Sequence, residues 1–424
     1  MEKKLKFGIL GGWRGASLAC GAQANGIEIA AVCDRDEIRA QWAARQLKCA
    51  YFTDYAKMLD TDIDAVIVAN YATEHVWAVK QALAAGKHVM SECLACFTMA
   101  EAVELVEAVE AAPKQVYFFA ENYPFFVQNQ EMKRLFESGS YGKFVYGEAE
   151  YVHPFSLDDA ARLAAKEDHW RNWLPATYYC THSLGPIMLI TGTRPVAVNA
   201  IVVPYDPEDP QMGGTIRRND CVSVILCRMN NGAAVKVLPW NGLRDHGQRY
   251  RVCCNKGTME WNQGDANLRV VRWDADFPEG CPEPLYQSYM PQFPPEHREA
   301  LRHGHGGGDY FTSYWFTRAI RTGEKPLIDV YRAVDMSMIG IQGYRSALKN
   351  SNTCEIPDLH DPAMREKYRH DDWNPDPARP CADKPYPSIC GPIEPSPSAR
   401  KNYHRIRMEF EETVRLQAEG KKEF

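Results

Sequence analysis

The sequence predicts an α/β protein in three parts. A doubly wound parallel sheet covers residues 1–123, an α+β unit with a mainly antiparallel sheet covers 124–350, and a proline-rich arm with a terminal helix covers 351–424. Three observations predict this. Up to about residue 122, short apolar runs alternate with amphipathic helical runs, the pattern of parallel strands joined by helical crossovers. Beyond that point, β-rich runs are separated by turn signals such as "MNNG" and "NKG", as in an antiparallel sheet. The length of 424 residues also exceeds one ordinary core.

"KLKFGIL" (4–10) predicts the first strand. "GGWRGAS" follows, "LACGAQANG" reads as a helix ending near Gly26, and "IEIAAVCD" is a second strand ending on Asp34. Strand, glycine turn, helix, strand and an acid about 20 residues past the glycines form the dinucleotide-binding (Rossmann) pattern. The glycines let the backbone approach a pyrophosphate, and the helix N-terminus favours its negative charge. Gly11, Gly12 and Gly15 look like G-x-G-x-x-G with one residue removed, so an ordinary tight turn is the alternative for this stretch alone. Asp34 can accept hydrogen bonds from both ribose hydroxyls and would repel a 2′-phosphate. The expected cofactor is therefore NAD rather than NADP, although the neighbouring Arg35 could pair with a phosphate.

The next elements strengthen the pattern. "DIDAVIVAN" (62–70) is a buried-type strand, and "TEHVWAVKQALAAG" is an amphipathic helix stopped by Gly86. "KHVMSE" is a strand, "TMAEAVELVEAVEAA" a helix, and "QVYFFAEN" closes the set. Ligands of such sheets bind at the carboxyl ends of the strands. Those ends carry Asp34, Asn70, Glu92, Glu121 and Asn122.

Composition excludes several partners. A net charge of −6 gives no reason to expect nucleic acid or an anionic membrane. No apolar run approaches the ~20 residues of a membrane-spanning helix, and "MEKKLKFGILGG" reads as a strand rather than a signal peptide. The 14 cysteines are scattered. Cys93 and Cys96 form the one C-x-x-C, with no second pair at zinc-site spacing. Reduced, buried thiols in a cytoplasm are expected, and no metal.

"DIDAVIVAN…EH…ALAAGKHVMSE" and "HGGGDYFTSYWFTRAIRTGEKPLIDVYRAVDMS" resemble the glucose–fructose oxidoreductase / inositol dehydrogenase (Gfo/Idh/MocA) family of NAD(P)-dependent sugar enzymes, over roughly residues 5–350. With the strand-end pattern, the resemblance implies cofactor contacts at Gly11, Gly12, Trp13, Arg14, Gly15, Asp34, Asn70, His75, Glu92, Cys93, Glu121 and Asn122. The family usually follows the strand glutamate with lysine and proline, whereas this chain has Cys93 and Leu94 after Glu92. A thiol cannot supply the lysine's fixed charge. The family's Asp-x-Gly-x-His appears as Tyr178-x-Cys180-x-His182.

Four segments resemble the NAD-dependent glycosidase subgroup typified by α-N-acetylgalactosaminidases: "AENYPFF", "GEAEYVHP", "HWRNW" and "YCTHSLGP". The resemblance implies catalysis by His182 with Tyr179, and substrate contacts at Tyr151, His153, Trp170 and Arg171. His303 and His305 in "RHGHGGGD" add polar groups, with His305 the substrate candidate and a loop histidine without a role the alternative. His182 lacks a second ligand at metal spacing, which leaves a proton-transfer residue or a core histidine. "T-H-S" should lie in the first turn of a helix, and a neutral imidazole can take a hydroxyl proton at neutral pH.

In the second unit, "FVYGEAEYVH", "VAVNAIVVPY", "CVSVILCRM", "GAAVKVLPW", "RYRVCCN" and "GTMEWNQ" read as strands. "DYFTSYWFTRAIRTG" reads as a helix covering one sheet face; the family resemblance implies a homo-oligomer interface on the other. Residues 371–398 are proline-rich, which suits an extended arm on this subunit or a neighbour, or a disordered tail. A charged helix then ends the chain.

The leading expectation is an NAD-dependent enzyme that oxidises a ring hydroxyl of a sugar or glycoside. Redox-neutral glycoside cleavage and net dehydrogenation are its two outcomes. A nucleotide-binding protein without catalysis is the alternative class.

Overall fold

The structure is a computed structural model and describes residues 4–240, 245–273 and 285–424. The first sheet is built from β1 (Lys6–Leu10), α1 (Gly12–Ala24), β2 (Glu28–Cys33), α2 (Glu37–Leu47), β3 (Ala50–Phe52), α3 (Tyr55–Leu59), β4 (Ala65–Val68), α4 (His75–Ala84), β5 (His88–Ser91), α5 (Met99–Glu110) and β6 (Tyr117–Phe119). Its strand order is β3-β2-β1-β4-β5-β6, all parallel. Helices cover both faces, so β4 reads Ala-Val-Ile-Val with every residue buried. The order reverses between β1 and β4, and a crevice opens there at the carboxyl ends. The segment α2–β3–α3 was not foreseen from the sequence. Asp36 caps α2 by accepting from the Ile38 and Arg39 N–H groups, a start signal hidden within the Asp34-Arg35-Asp36 run.

The chain continues with α6 (Val127–Glu137), β7 (Phe144–Val152), α7 (Leu157–Leu163), α8 (Thr181–Thr191), β8 (Pro195–Val203), β9 (Val222–Met229), β10 (Ala234–Trp240), β11 (Gly247–Cys254), β12 (Gly257–Asn262), β13 (Asp265–Arg272) and β14 (Leu285–Tyr289). It ends with α9 (Gly308–Thr322), α10 (Val330–Leu348), β15 (Cys354–Glu355), α11 (Pro362–Tyr368) and α12 (Pro397–Ala418). The second sheet runs β14-β13-β12-β11-β7-β10-β9-β8-β15. It is mixed rather than wholly antiparallel, because β10 returns parallel to β7 after α7, α8, β8 and β9 intervene. One face packs against α8 and α10. The other leaves Ile201, Val203 and Leu226 exposed.

Two close approaches position the site. A Cβ on Gly21 of α1 would fall 2.4 Å from the Asp309 carbonyl oxygen, and one on Gly308 would fall 2.5 Å from the Asn122 carbonyl oxygen. Only glycine at these places lets the start of α9 press against α1 and the end of β6. Asp309 is thereby delivered to the crevice.

The proline-rich arm is docked on its own chain. Arg379 binds Glu101 and the Thr73 carbonyl, and Asp220 accepts from Ser388 and the Ile389 N–H, both at 2.8 Å. The terminal α12 lies on α2 and α7. The described cysteines are free thiols, and Cys281 lies outside the described residues. No described helix is long and apolar enough to cross a membrane.

Candidate active site

The glycine turn begins where β1 ends. Gly11 has φ +97°, and a Cβ there would lie 2.4 Å from the Ala69 carbonyl oxygen, so only glycine is free of strain and clash. Gly15 packs directly on Ile9. The N-cap residue Gly11 has no side chain to cap α1, which leaves the N–H groups beyond Gly12 in its first turn open to an anion. At the end of β2, Asp34 Oδ2 accepts the Gly12 N–H at 2.8 Å and Oδ1 the Asp36 N–H at 3.0 Å. Arg35 is engaged elsewhere, paired with Glu74 and stacked 4.8 Å over Tyr71. Asn70 and Asn122, at the ends of β4 and β6, each hold a buried Oδ1 with no hydrogen-bond partner. A glycine cradle at a helix start, an acid at the second strand end and two orphaned amide oxygens along the crevice fit a dinucleotide.

Arg14 crosses this crevice. Its Nε donates to Glu92 at 2.6 Å, and Nη1 and Nη2 form a fork on Asp309, both at 2.8 Å. Burial opposes the Arg14 charge, but Glu92 and Asp309 outweigh it and hold the guanidinium protonated. For Asp309, burial is likewise outweighed by Arg14 and His305, and its pKa falls well below the ordinary carboxylate value. Asp309 is not among the residues that the sequence marks as site candidates. Its one signal was an acid directly behind a glycine run at a helix start.

Beyond Glu92 stands a buried cluster centred on Glu121, whose side chain is wholly inaccessible. Glu121 Oε1 accepts from His182 Nδ1 at 2.7 Å and from the Tyr123 N–H at 3.2 Å. Cys93 Sγ lies 3.3 Å from Oε2. Burial would raise the Glu121 pKa, but His182 and Thr181 outweigh it and keep the pKa low. The Cys93 thiol is pushed well above its ordinary value by burial, then by Glu121 and Glu92, so it stays protonated and donates. Ligand-capable atoms of Cys93, Glu121 and His182 all lie within 4.8 Å of one another. Spacing along the chain could not show this convergence, because β5, β6 and α8 each supply one member.

His182 sits in the first turn of α8, as its sequence context suggests. With Nδ1 bound to Glu121, Nε2 is the free nitrogen. Three tyrosines wall the ring, with centroids at 4.3 Å (Tyr123, stacked), 4.8 Å (Tyr151) and 5.3 Å (Tyr179, edge-on). Burial raises the pKa of each, so all three stay phenols. His153 continues the wall 5.7 Å from Tyr151. Its Nδ1 is buried without a partner. Burial, then His246, lower its pKa, so it is neutral at pH 7. Arg171 stacks on Trp170 at 4.4 Å and faces Tyr179 at 5.8 Å.

Three sequence candidates take other places. His75 is buried beneath the site, which lowers its pKa and keeps the ring neutral with one N–H; Nδ1 lies 2.8 Å from the Leu94 carbonyl oxygen and Nε2 3.3 Å from that of Asn70, so one donated bond ties the ring to the strand ends. The Trp13 ring stacks on Trp42 at 4.8 Å and meets Phe410 of α12 edge-on at 5.1 Å, leaving its backbone to the crevice. His305 binds Asp309 at 3.1 Å, and its ring lies 6.0 Å from Tyr123. It supports the Arg14 fork and borders the tyrosine wall.

Known proteins resemble this chain in both of its folded units. Residues 5–119 match the Gfo/Idh/MocA family model, described as "Oxidoreductase family, NAD-binding Rossmann fold". Residues 263–365 match the model "Glycosyl hydrolase 109, C-terminal domain". A glycosyl hydrolase family 109 protein of Saccharopolyspora erythraea is 25% identical over 396 residues, covering 84% of each chain. An alpha-N-acetylgalactosaminidase of Tannerella forsythia is 23% identical over 355 residues, covering 72% of this chain and 73% of that one. Levoglucosan dehydrogenase in complex with NADH superposes with a TM-score of 0.69 at 19% identity, over 84% of this chain and all of that one. Myo-inositol 2-dehydrogenase of Lactobacillus plantarum does so with a TM-score of 0.64 at 19% identity, over the same shares. Residues 5–119 thus match a Gfo/Idh/MocA NAD-binding domain and residues 263–365 a glycosyl hydrolase 109 C-terminal domain, and the chain is an NAD-binding enzyme.

Two outcomes follow from these contacts. Asp34→Ala should narrow the preference for NAD over NADP, measured as the ratio of dissociation constants; equal or tighter NADP binding by the unmodified protein would refute the role of Asp34. Cys93→Ser should retain most activity, since a hydroxyl can also donate to Glu121. A 100-fold loss, about 2.7 kcal/mol, in a folded variant would show that the thiol itself takes part.

Proposed function

We propose that this NAD-binding enzyme oxidises a ring hydroxyl of a glycoside, at C3, and cleaves the glycosidic bond without net consumption of cofactor. The observation that carries the reading is the buried Glu121–His182 pair at 2.7 Å with Nε2 free inside a tyrosine wall. A buried carboxylate on Nδ1 fixes the tautomer that leaves Nε2 as the base and stabilises the imidazolium once a proton arrives. Bound NAD supplies the hydride acceptor and, later, the donor. Gly11, Gly12, Arg14, Gly15, Asp34, Asn70 and Asn122 would hold it. Trp13 contributes backbone, and Glu92 positions Arg14.

His182 Nε2 takes the C3 hydroxyl proton as that carbon is oxidised. The ketone so formed makes the C2 proton acidic, and His153, neutral and beside Tyr151, takes it. The leaving group then departs from C1 with a proton from a phenol of the wall. Water adds to the resulting double bond, and the protons return as the ketone is reduced. Tyr151 and Tyr179 hold the oxygens throughout, and Trp170 and Arg171 border the sugar.

Residues 1–123 act as the cofactor domain, 124–350 as the substrate domain and 351–424 as a clasp. The exposed Ile201, Val203 and Leu226 on the open sheet face suit a homo-oligomer contact, and the free thiols suit a cytoplasm.

The test is absorbance at 340 nm with NAD and a panel of glycosides, alongside product analysis. Free aglycone without net NADH supports the reading. Accumulated NADH with a keto-sugar would mark a net dehydrogenase, and neither product would mark a binding protein.

A further inference from the structure

Beside the tyrosine wall lies a cleft with two guanidiniums. Phe155, Trp170, Arg171, Tyr179, Arg217 and Asn219 line a shallow cleft that opens to solvent. Arg217 is only 8% exposed. Its guanidinium lies 4.9 Å over the Phe155 ring, and its hydrogen-bond partner is Cys221 Sγ at 3.8 Å. Among the described residues, no carboxylate stands within ion-pair distance of Arg217 or of Arg171, which is held by the Trp170 and Tyr179 rings. Other sheltered arginines of this chain are paired: Arg14 with Asp309, Arg194 with Asp335 and Arg345 with Asp371. Asn219 donates to the Leu174 carbonyl, and its Oδ1 is buried without a partner.

A buried charge is unfavourable unless it is paired, and contact with aromatic faces recovers only part of the loss. The guanidinium fork matches a carboxylate or sulfate. The cleft also adjoins the reacting end. From His182 the rings run through Tyr151 (4.8 Å), His153 (5.7 Å) and Phe155 (4.8 Å) to Arg217 (4.9 Å). Residues 151 to 155 span at most about 14 Å of chain, the scale of one or two sugar rings.

We propose that this cleft is an oxyanion subsite and that the substrate is an acidic glycoside, bearing a carboxylate or sulfate remote from the oxidised carbon. Arg217 and Arg171 bind the anion, and Asn219 Oδ1 accepts a hydroxyl of the same sugar. The assignment of the reacting end rests on the function proposed above.

The test uses the full chain loaded with NAD, titrated calorimetrically with D-galacturonate, D-galactose 6-sulfate and D-galactose, and with the corresponding glucose series. The acidic sugars should bind at least 10-fold more tightly than the neutral ones, with a preference that shrinks as salt rises. The tighter of the two acidic series identifies the anion. Arg217→Gln should abolish the preference, and Arg217→Lys should keep part of it. Removing an unpaired buried charge should leave the melting temperature of Arg217→Gln unchanged or higher. Equal affinity for acidic and neutral sugars, no binding of any acidic sugar at millimolar concentration, or an Arg217→Gln variant that melts lower with its preference intact would overturn the subsite. Preferential acidic binding with no chemistry on acidic glycosides would sink the proposed reaction and leave the subsite standing. Equal turnover of neutral glycosides would do the reverse.

Discussion

His182→Ala is expected to lower turnover by about 100- to 10,000-fold while leaving NAD affinity nearly unchanged. That range is the usual contribution of a general base and corresponds to about 2.7–5.5 kcal/mol on the barrier. The cofactor cradle is built from the ends of β1, β2, β4 and β6 and does not include α8. His182 is also well packed, stacked on Tyr123 and bonded to Glu121. Its removal therefore leaves a cavity and a buried carboxylate short of one partner, worth about 2–4 kcal/mol of stability. Turnover must be measured per folded molecule, well below both melting temperatures. A His182→Ala protein that is destabilised but fully active when folded would make this a core histidine. Tyr179→Phe separates two roles for the phenol: a small loss if it only orients the imidazole, and a loss as large as that of His182→Ala if it carries the proton.

The parallel sheet was legible because its code is local. β1, α1 and β2 are announced by an apolar run, a glycine turn and an acid within 30 residues. β4 to β6 follow from continuous apolar runs that only a sheet covered on both faces can bury. Strands β7 to β12 were legible from their runs and turns, but β13 to β15 and the parallel β7–β10 pair were not. Pairing between strands whose partners stand 88 residues apart, Ala234 with Tyr146, leaves no mark in either one. The site divides the same way. His182, Tyr179, Tyr151 and Arg171 could be named because their segments carry a family's spacing. The role of Glu121 could not, because its partner is 61 residues away in the chain. Placed at a strand end, it read as a cofactor contact, yet it turns inward to the histidine. Arg217 gave no sign at all, since an arginine in "TIRRND" reads as a solvated charge until burial removes its water.

Glu121→Gln is the sharper probe of the pair, because it keeps the volume and removes only the charge. Turnover should fall by about 100-fold or more. The amide still fills the space and still offers an oxygen to Nδ1–H, but it cannot stabilise the imidazolium formed when Nε2 takes the substrate proton. A neutral amide can also rotate its NH2 towards Nδ1, which would stabilise the other tautomer and leave a hydrogen on Nε2. The stability effect has a defined dependence on pH. The folded protein holds the Glu121 pKa below its ordinary value, burial being outweighed by His182 and Thr181. A depressed carboxylate pKa contributes stability above the unfolded value of about 4.3, and that contribution is lost as pH falls through the folded value. The melting-temperature gap between the unmodified protein and Glu121→Gln should thus be widest near pH 6–8 and close on acidification below about pH 4. Thermal melts across that range, with turnover at pH 7, decide the matter. A pH-independent gap would show that the charge of Glu121 is not what the fold uses. Turnover within threefold of the unmodified enzyme would show that His182 acts, if it acts, without its carboxylate.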